Sequence, residues 1–376
     1  MKDRQVVVVF PSQLSVNKTK SLLSNLKKII KIRNQKFKTI LEDGPVIVIH
    51  TDEPIVILST INSLFGIEKI AIAKKIDNNF KLVVSTITKI GSNLILRGEK
   101  FYVQVEGHSS TYLPKDIQLA ATTSLIEKIS HLKAKPGTKE NFDKLLYTFL
   151  TKSNAYISIF MDKGYGGNPY NFHQKKIICS VYDEFSAICC LQTIKMGFDV
   201  KILVCYHNED QLLRTVKILN HILPTIVRKQ VQLEFFKLTI KDEGVGSHIV
   251  FVNVITAILS SIARSNKIKR VSLAISPLIY PLWFVEDSLS NISQKGLIPW
   301  LPLPMMDKDL IDAAKEIGLK KFLPKIKEIY KTNFKKKRIS RNQTLSLCQA
   351  AIKTRKKIMV TVGTKNIHDI LDSLNH

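Results

Sequence analysis

The sequence predicts an α/β protein made of three successive folded domains and a basic extension. Three observations support this prediction. The first 76 residues alternate in the order βαββαβ, a second block of strands and helices ends in the glycine-rich segment 164–169, and strands and helices then alternate regularly as far as about residue 275. Alternation of the last kind is typical of a doubly wound sheet with helices on both faces.

The first block alternates apolar strands with amphipathic helices. A helix is expected at 16–33, with its apolar stripe at Leu22, Leu26 and Ile29, and a second helix begins at Pro54 and ends at Gly66. The strands of this block are expected at 5–10, 36–41, 46–50 and 69–76. This order is that of a ferredoxin-like sandwich, which we assign to residues 1–78.

The second block, residues 79–165, is expected to hold strands at 100–105 and 155–161 and helices near 115–131 and 138–150. A linker follows at 164–169, and a doubly wound α/β domain is assigned to 170–322. Its strands are expected at 176–180, 200–205, 231–237 and 270–275. Residues 323–376 are interpreted as a basic extension, because Lys320 to Arg341 contain ten basic residues and one acidic residue.

The formal net charge of the chain is +26, from 57 Lys and Arg against 31 Asp and Glu. Such an excess favours a polyanionic partner, with nucleic acid well ahead of an anionic membrane surface. The five cysteines form no CxxC pair and no zinc-like spacing with His, which predicts a reduced, cytoplasmic protein without a metal site. Polar residues interrupt the apolar stretch 249–263, which is therefore expected to be a core helix and not a membrane span.

Four local stretches give the sequence a likeness to a known family. They are FPSQLSVNKTK (10–20), GEKFYVQVEGHSSTYLPKDI (98–117), GYGGNPYNFHQKKIICSVYDEFSA (164–187) and PWLPLPMMDKDLIDAAKEIG (299–318). In their order and spacing they resemble the tRNA 4-thiouridine synthetase family. That resemblance implies a ferredoxin-like domain, a THUMP RNA-binding domain at 79–165 and a PP-loop ATP pyrophosphatase domain at 170–322.

The departures from the family pattern are concentrated at the nucleotide loop. The family motif is Ser-Gly-Gly-x-Asp-Ser, and the chain has in its place Ser180, Val181, Tyr182, Asp183, Glu184 and Phe185. A Cβ at the glycine positions restricts positive φ and hinders close approach of backbone amides to a phosphate. Acidic residues at the helix start satisfy the free N–H groups and repel a phosphate. We therefore expect an ordinary capped turn and a degenerate nucleotide loop.

The residues for sulfur transfer are also missing by comparison with the family. A family cysteine that follows the helix ending near Gly318 has no counterpart in 319–326. Cys189, Cys190 and Cys205 lie in apolar segments and are expected to be inert core residues. Cys348 is the remaining candidate for an exposed thiolate, since Lys353 and Arg355 are close in sequence, although we expect a bystander thiol.

Positive charge is the functional feature that the sequence retains. Eight basic residues and no acidic one lie between Lys18 and Lys38, and Glu106 replaces a basic strand end in the second block. The candidate RNA-binding residues of the first two blocks are Lys18, Lys20, Lys27, Lys28, Lys31, Arg33, Arg97, Lys100, His108, Tyr112 and Lys115. Those of the extension are Lys335, Lys336, Lys337, Arg338 and Arg341.

The leading hypothesis is an RNA-binding protein, most specifically tRNA-binding, that lacks thiolation activity and needs no cofactor. An ATP- and magnesium-dependent tRNA sulfurtransferase that uses a divergent loop and Cys348 is the enzyme alternative. A translation-associated factor that binds the ribosome or a protein is the third. Whether the chain forms a homodimer or has a protein partner stays open.

Overall fold

A computed structural model of the chain describes residues 5–239, 247–303, 315, 324, 340–363 and 366–375. It contains two compact units, unit 1 (Met1–Gly166) and unit 2 (Gly167–His376). The division falls inside the predicted linker 164–169. Each unit has its own sheet.

Unit 1 is an α/β unit with an eight-stranded sheet. Its strands are β1 (Gln5–Pro11), β2 (Thr39–Asp43), β3 (Val46–His50), β4 (Ile67–Asp77), β5 (Lys100–Gly107), β6 (Lys135–Pro136), β7 (Lys144–Leu150) and β8 (Asn154–Gly166). Its helices are α1 (Thr19–Ile32), which a 3₁₀ turn (Gln13–Lys18) precedes, α2 (Pro54–Ile61), α3 (Phe80–Leu94) and α4 (Pro114–Lys128).

One continuous sheet runs through both predicted N-terminal blocks, in the order β2-β3-β1-β4-β8-β7-β5-β6. The first four strands have the antiparallel arrangement of a ferredoxin-like sandwich, which agrees with the βαββαβ prediction. β4 then pairs antiparallel with β8 from Ile67 to Asp77. The expected boundary at residue 78 therefore does not separate two sheets, and the four-part domain division stays a prediction.

The sheet of unit 1 curls around an apolar cluster formed by alternate residues of β1 and β4, among them Val8 and Ala71, together with Tyr147 and Tyr156. The ring of Phe10 on β1 meets that of Phe149 on β7 at 5.2 Å, although β4 and β8 stand between these strands. In a flat sheet the two backbones would be about 14 Å apart. The curl fills one face of the sheet with its own side chains.

Asp43 joins the β2 edge of the curled sheet to strands β7 and β8. Its carboxylate accepts hydrogen bonds from the Tyr156 hydroxyl and, at 2.9 Å each, from Asn154 Nδ2 and Thr151 Oγ1. Burial opposes ionisation of Asp43, but these hydrogen bonds and nearby Lys75 together hold its pKa below the ordinary value. The β2 edge is thus joined to the β7–β8 hairpin.

The helix expected at 138–150 was wrong, because residues 144–150 form strand β7. Along it Leu146 and Leu150 pack under α3 and α4, whereas Tyr147 lies in the cluster on the opposite face. That period of two belongs to a strand buried on both faces, which a short apolar run does not distinguish from a helix. Helix α3 was not anticipated; its N-cap is Asn79, whose side chain accepts from the Leu82 amide.

Unit 2 contains a six-stranded sheet in the order β13-β12-β9-β10-β11-β14. The strands are β9 (Lys176–Val181), β10 (Asp199–Tyr206), β11 (Gln230–Lys237), β12 (Arg270–Ser272), β13 (Ile298–Trp300) and β14 (Lys356–Thr361). The described helices are α5 (Glu184–Lys195), α6 (Glu209–Ile222), α7 (Ser247–Ser265), α8 (Leu282–Ser293), α9 (Arg341–Lys353) and α10 (Asn366–Asn375). All strands are parallel except β14, so the expected doubly wound architecture is present.

Two features of unit 2 refine the sequence interpretation. β14 pairs with β11 and is an integral strand of the sheet, although it lies in the segment that was interpreted as a basic extension. Helix α7 is, over His248–Ser265, long and apolar enough to span a membrane by length and composition, but 67% of that window is buried inside the protein, as expected of a core helix.

Removing the Asp43 carboxylate will destabilise unit 1 in a pH-dependent manner. The substitution Asp43→Ala is expected to lower the free energy of unfolding by about 1–3 kcal/mol at pH 7, because it leaves the Tyr156 hydroxyl and Asn154 Nδ2 without their acceptor. The stabilisation is present above the pKa of Asp43 in the unfolded chain, which is about 4. It is lost as the pH falls through the lower pKa that Asp43 has in the folded protein. Urea unfolding of both proteins between about pH 3 and 7 measures this difference.

Asp52→Ala is the matched control. Asp52 is exposed and pairs with Lys38 at the surface, so its loss should cost less than about 1 kcal/mol. An equal effect of the two substitutions would contradict the role of Asp43.

Candidate functional site

The end of β9 is the topological switch point of unit 2, because β9 pairs with β10 on one side and with β12 on the other. Ligands of doubly wound proteins bind at this place, at the carboxyl ends of the strands. Here Tyr182 follows β9, and its hydroxyl donates to the carbonyl oxygen of Ala274, which follows β12, at 3.3 Å. The side chain bridges the crevice in which a ligand would lie.

An aromatic cluster surrounds Tyr182, which is only 2% exposed. Phe251 of α7 makes an edge contact with its ring at 5.6 Å, and Tyr280 is close enough to affect its ionisation. The ring of His248 stacks on Tyr280 at 5.8 Å. Burial raises the pKa of both tyrosines well above the ordinary value, so both are neutral at physiological pH. Side chains therefore occupy the switch point.

The amides at the start of α5 are bonded within the turn itself. Ser186 Oγ accepts from the amides of Tyr182 and Asp183, both at 2.9 Å. The Asp183 side chain caps the helix by accepting from the Ser186 amide at 2.7 Å, as the sequence analysis expects. Burial raises the pKa of Asp183 to about 6, against opposing hydrogen bonds from Ser186, so the carboxylate is largely ionised at pH 7.

A phosphate does not fit this turn. Val181 and Tyr182 are buried where glycines would let the backbone approach a ligand, and Glu184 adds a second acidic group at 7% exposure. Oε1 of Glu184 makes no hydrogen bond within the described part of the chain. The residues that replace the PP-loop motif thus form a closed, acidic, self-capped turn.

Cys348, the candidate for an exposed thiolate, is buried. All five cysteines are buried, and Cys348 lies on a face of α9 that is turned away from solvent. Burial raises the pKa of its thiol, although Lys295 opposes the shift. Arg355, which was expected to favour a thiolate, instead lies 3.7 Å from the buried carboxylate of Glu234. Among the residues described, no group of three His, Cys, Asp or Glu side chains is arranged to hold a metal.

The candidate RNA-binding residues of the first helix form one exposed row. Lys20, Lys27, Lys28 and Lys31 all lie on the solvent side of α1, opposite the buried stripe of Leu22, Leu26 and Ile29. Lys18 and Arg33, at the two ends of the helix, are half-buried. Burial lowers the pKa of Arg33. The four exposed lysines form a surface that we call the α1 row.

The candidates in the second block do not form one surface. Arg97 and Lys100 lie at the amino end of β5, whereas His108 and Lys115 lie beyond its carboxyl end, so the length of an eight-residue strand separates the two pairs. Tyr112 packs its ring edge-on against Phe80 and donates its hydroxyl to Asn78 Oδ1. Its ring is therefore engaged within the core around α3 and α4.

Glu106 is bonded to neighbouring side chains of unit 1 and does not point freely into solvent. Its carboxylate accepts from the Tyr147 hydroxyl and from Gln104 Nε2, both at 2.6 Å, and Lys69 Nζ lies 3.4 Å away. Burial opposes ionisation, but these partners hold the pKa of Glu106 below its ordinary value. The acidic group thus anchors the buried Tyr147 at the end of β5.

The remaining candidates lie outside the described residues. They are Lys335, Lys336, Lys337 and Arg338. Most of the segment 299–318, which carries the late family motif, also lies outside the described residues. Arg341 is the first residue of α9, and its side chain is not described. The sequence reasoning also missed Phe251, Tyr280 and His248 around Tyr182, because no motif marks them.

Comparison with solved structures places this fold among known proteins. A 4-thiouridine synthetase–RNA complex with bound ATP matches with a TM-score of 0.62 and 16% identity, over 95% of this chain and 99% of that one. The fold of this chain is therefore similar to that of a 4-thiouridine synthetase. PH1313 from Pyrococcus horikoshii matches with a TM-score of 0.60 and 18% identity, over 84% of this chain and all of that one. No protein-family profile and no curated protein matches the sequence.

The ring of Tyr182 is expected to be a major determinant of the stability of unit 2. Tyr182→Ala should lower the free energy of unfolding by about 3–5 kcal/mol, because it leaves a cavity among Phe251 and Tyr280. Tyr182→Phe keeps the ring and loses the bond to Ala274, which should cost about 1 kcal/mol. Chemical denaturation measures both, and equal losses would contradict a space-filling role of the ring.

All five thiols are expected to be unreactive in the native protein. With a disulfide reagent at about pH 8, where an ordinary free thiol reacts readily, the native chain should react far more slowly than the chain in denaturant, since every cysteine is buried. If one thiol of the native protein reacted rapidly and this reaction was absent in Cys348→Ser, the burial of Cys348 would be contradicted.

Proposed function

We propose that the chain is an RNA-binding protein of the THUMP type, most specifically a tRNA-binding protein. The observation that carries this proposal is the α1 row, four exposed lysines with no acidic residue between Lys18 and Lys38. Lysines spaced along one helix face suit contacts with successive phosphates of a nucleic-acid backbone. The likeness in fold to a synthetase that was solved with RNA supports the same class of partner.

We further propose that unit 2 acts without ATP and does not transfer sulfur. The switch point is filled by Tyr182, and the amides at the start of α5 are already bonded to Ser186 and Asp183. A triphosphate would have to displace these groups and approach two acidic side chains in a buried setting, at a high electrostatic cost. The thiols are buried as well, which argues against a persulfide carrier. A cytoplasmic location is consistent with five free cysteines.

Binding of bulk tRNA across a salt series tests the RNA proposal. The parent protein should bind with an affinity that falls steeply as salt rises, because phosphate contacts release counterions. Replacing Lys20, Lys27, Lys28 and Lys31 together by Gln should lower the magnitude of the salt slope by about 3–4. A parent protein without affinity for tRNA at low salt would overturn the proposal, and co-sedimentation with ribosomes would then favour the translation-factor alternative.

The matched control removes the same type of charge from elsewhere in unit 1. Lys128, Lys133 and Lys139 are exposed, lie on or after α4 and do not belong to the α1 row. Their joint replacement by Gln should change the salt slope by much less than the α1 variant does. An effect about three quarters as large, in proportion to three charges removed against four, would mean that total charge, and not the α1 row, governs affinity.

The same titration with ATP and magnesium tests the inactive state of unit 2. We expect tRNA affinity to be unchanged by ATP, no calorimetric signal for ATP, and no release of pyrophosphate. ATP binding that is lost in Glu184→Ala would contradict this expectation and favour the sulfurtransferase alternative.

A further inference from the structure

The amino edge of the parallel sheet in unit 2 has an unusual charge. Parallel strands begin at one edge of a sheet, so the segments that lead into β9, β11 and β12 meet there with the ends of α5 and α7. We call the basic residues at these positions the cationic edge. They are Lys175, Lys176, Lys195, Lys229, Arg264, Lys267, Lys269 and Arg270. Six are exposed, and Lys195 and Arg270 are half-buried.

These charges have no internal counterions. None of the eight makes an ion pair within the described part of the chain, whereas Lys38, Lys144 and Lys237 elsewhere each lie within 4 Å of a carboxylate. The acidic residue described at this edge is Asp199, which is 3% exposed and is bonded to Arg228 and to the Tyr170 hydroxyl. Asp199 is the register partner of Lys176, but its carboxylate is bonded to Arg228, so no ion pair neutralises the cationic edge within the described residues.

Some of the charges stand directly beside one another. Arg270 of β12 pairs with Ile177 of β9, so Lys269 and Lys176, the preceding residues, occupy adjacent positions on strands about 5 Å apart. Like charges on neighbouring strands are unfavourable. The helix macrodipole favours basic residues at the ends of α5 and α7, which accounts for Lys195 and Arg264. It also favours Lys267, which lies just after the end of α7, but it does not account for the five residues that precede or begin strands.

The opposite edge has the reverse charge around the switch point. Asp183 and Glu184 open α5, and Glu209 and Asp210 lie in the first turn of α6. Nucleotide-binding α/β proteins receive phosphate at this carboxyl edge. In unit 2 an anionic ligand would meet acidic side chains there and basic side chains at the amino edge.

We propose that the cationic edge is a second RNA-contact surface, which binds the phosphate backbone of the RNA whose binding to unit 1 is proposed above and on which this inference rests. Lysine ammonium groups act as point charges that contact phosphates without reading bases. The surface therefore adds affinity and orientation and contributes little sequence selectivity. Unit 2 retains a role in RNA binding although its nucleotide site is closed.

The test uses the full chain and a triple variant, Lys175→Gln, Lys176→Gln and Lys269→Gln, with bulk tRNA across a salt series. The magnitude of the salt slope should fall by about 2–3, one for each lost phosphate contact. The variant should keep the thermal stability of the parent, since all three side chains are exposed. In the parent, bound tRNA should protect these lysines from an amine-reactive label.

The matched control replaces three exposed basic residues of unit 2 that lie away from the cationic edge. These are Arg214 and Lys217 of α6 and Lys357 of β14, each replaced by Gln. The salt slope and affinity of this control should equal those of the parent. A control that weakens binding as much as the edge variant would overturn the proposal, because net charge would explain both.

The failures of the two proposals are distinguishable. If the edge variant keeps the parent slope while the α1 variant loses it, the cationic edge is only a solvated surface and the RNA proposal for unit 1 stands. If the parent binds no tRNA at low salt, both proposals fail. The inference would also be overturned if the edge variant bound anionic lipid vesicles more weakly than the parent but bound tRNA equally well. The partner of the cationic edge would then be a membrane.

Discussion

The first turn of a helix offers only a few free amides, and in α5 the protein bonds to them itself. Ser186 and Asp183 form a reciprocal cap that satisfies the amides of Tyr182, Asp183 and Ser186. This cap fixes the turn after β9 and so directs the Tyr182 ring across the switch point toward Ala274. By this local constraint a side chain of the protein itself fills the switch point of a doubly wound domain.

With the switch point filled, the charged groups of unit 2 that could contact a ligand lie at the edges of its sheet. The carboxyl ends of β9 and β10 lead into acidic helix starts, while the amino ends of β9, β11 and β12 carry basic residues without counterions. The polarity of charge along β9 is therefore opposite to that of a phosphate-binding α/β domain. Any polyanion that unit 2 binds is expected to meet the edge remote from the closed crevice.

Unit 1 depends on a different constraint, the curl of its single sheet. The Phe10 ring can reach Phe149 only because the sheet bends, and Asp43 holds the bend by bonding the β2 edge to the β7–β8 hairpin. Glu106 and Lys69 bond to Tyr147 and to each other at the far end of the same cluster. These acidic groups serve packing, whereas the lysines on the outer side of α1 face solvent.

The sequence by itself determined the order of most elements, the capped turn at Asp183 and the solvent-facing lysines of α1, because these follow from local periodicity and from side-chain bonds to nearby backbone. It did not determine that 144–150 is a strand, since an apolar run buried on both faces has no distinctive period. Burial of Cys348, the aromatic residues around Tyr182 and the cationic edge were decided only by the tertiary structure. Each depends on residues far apart in sequence, which packing and strand register bring together.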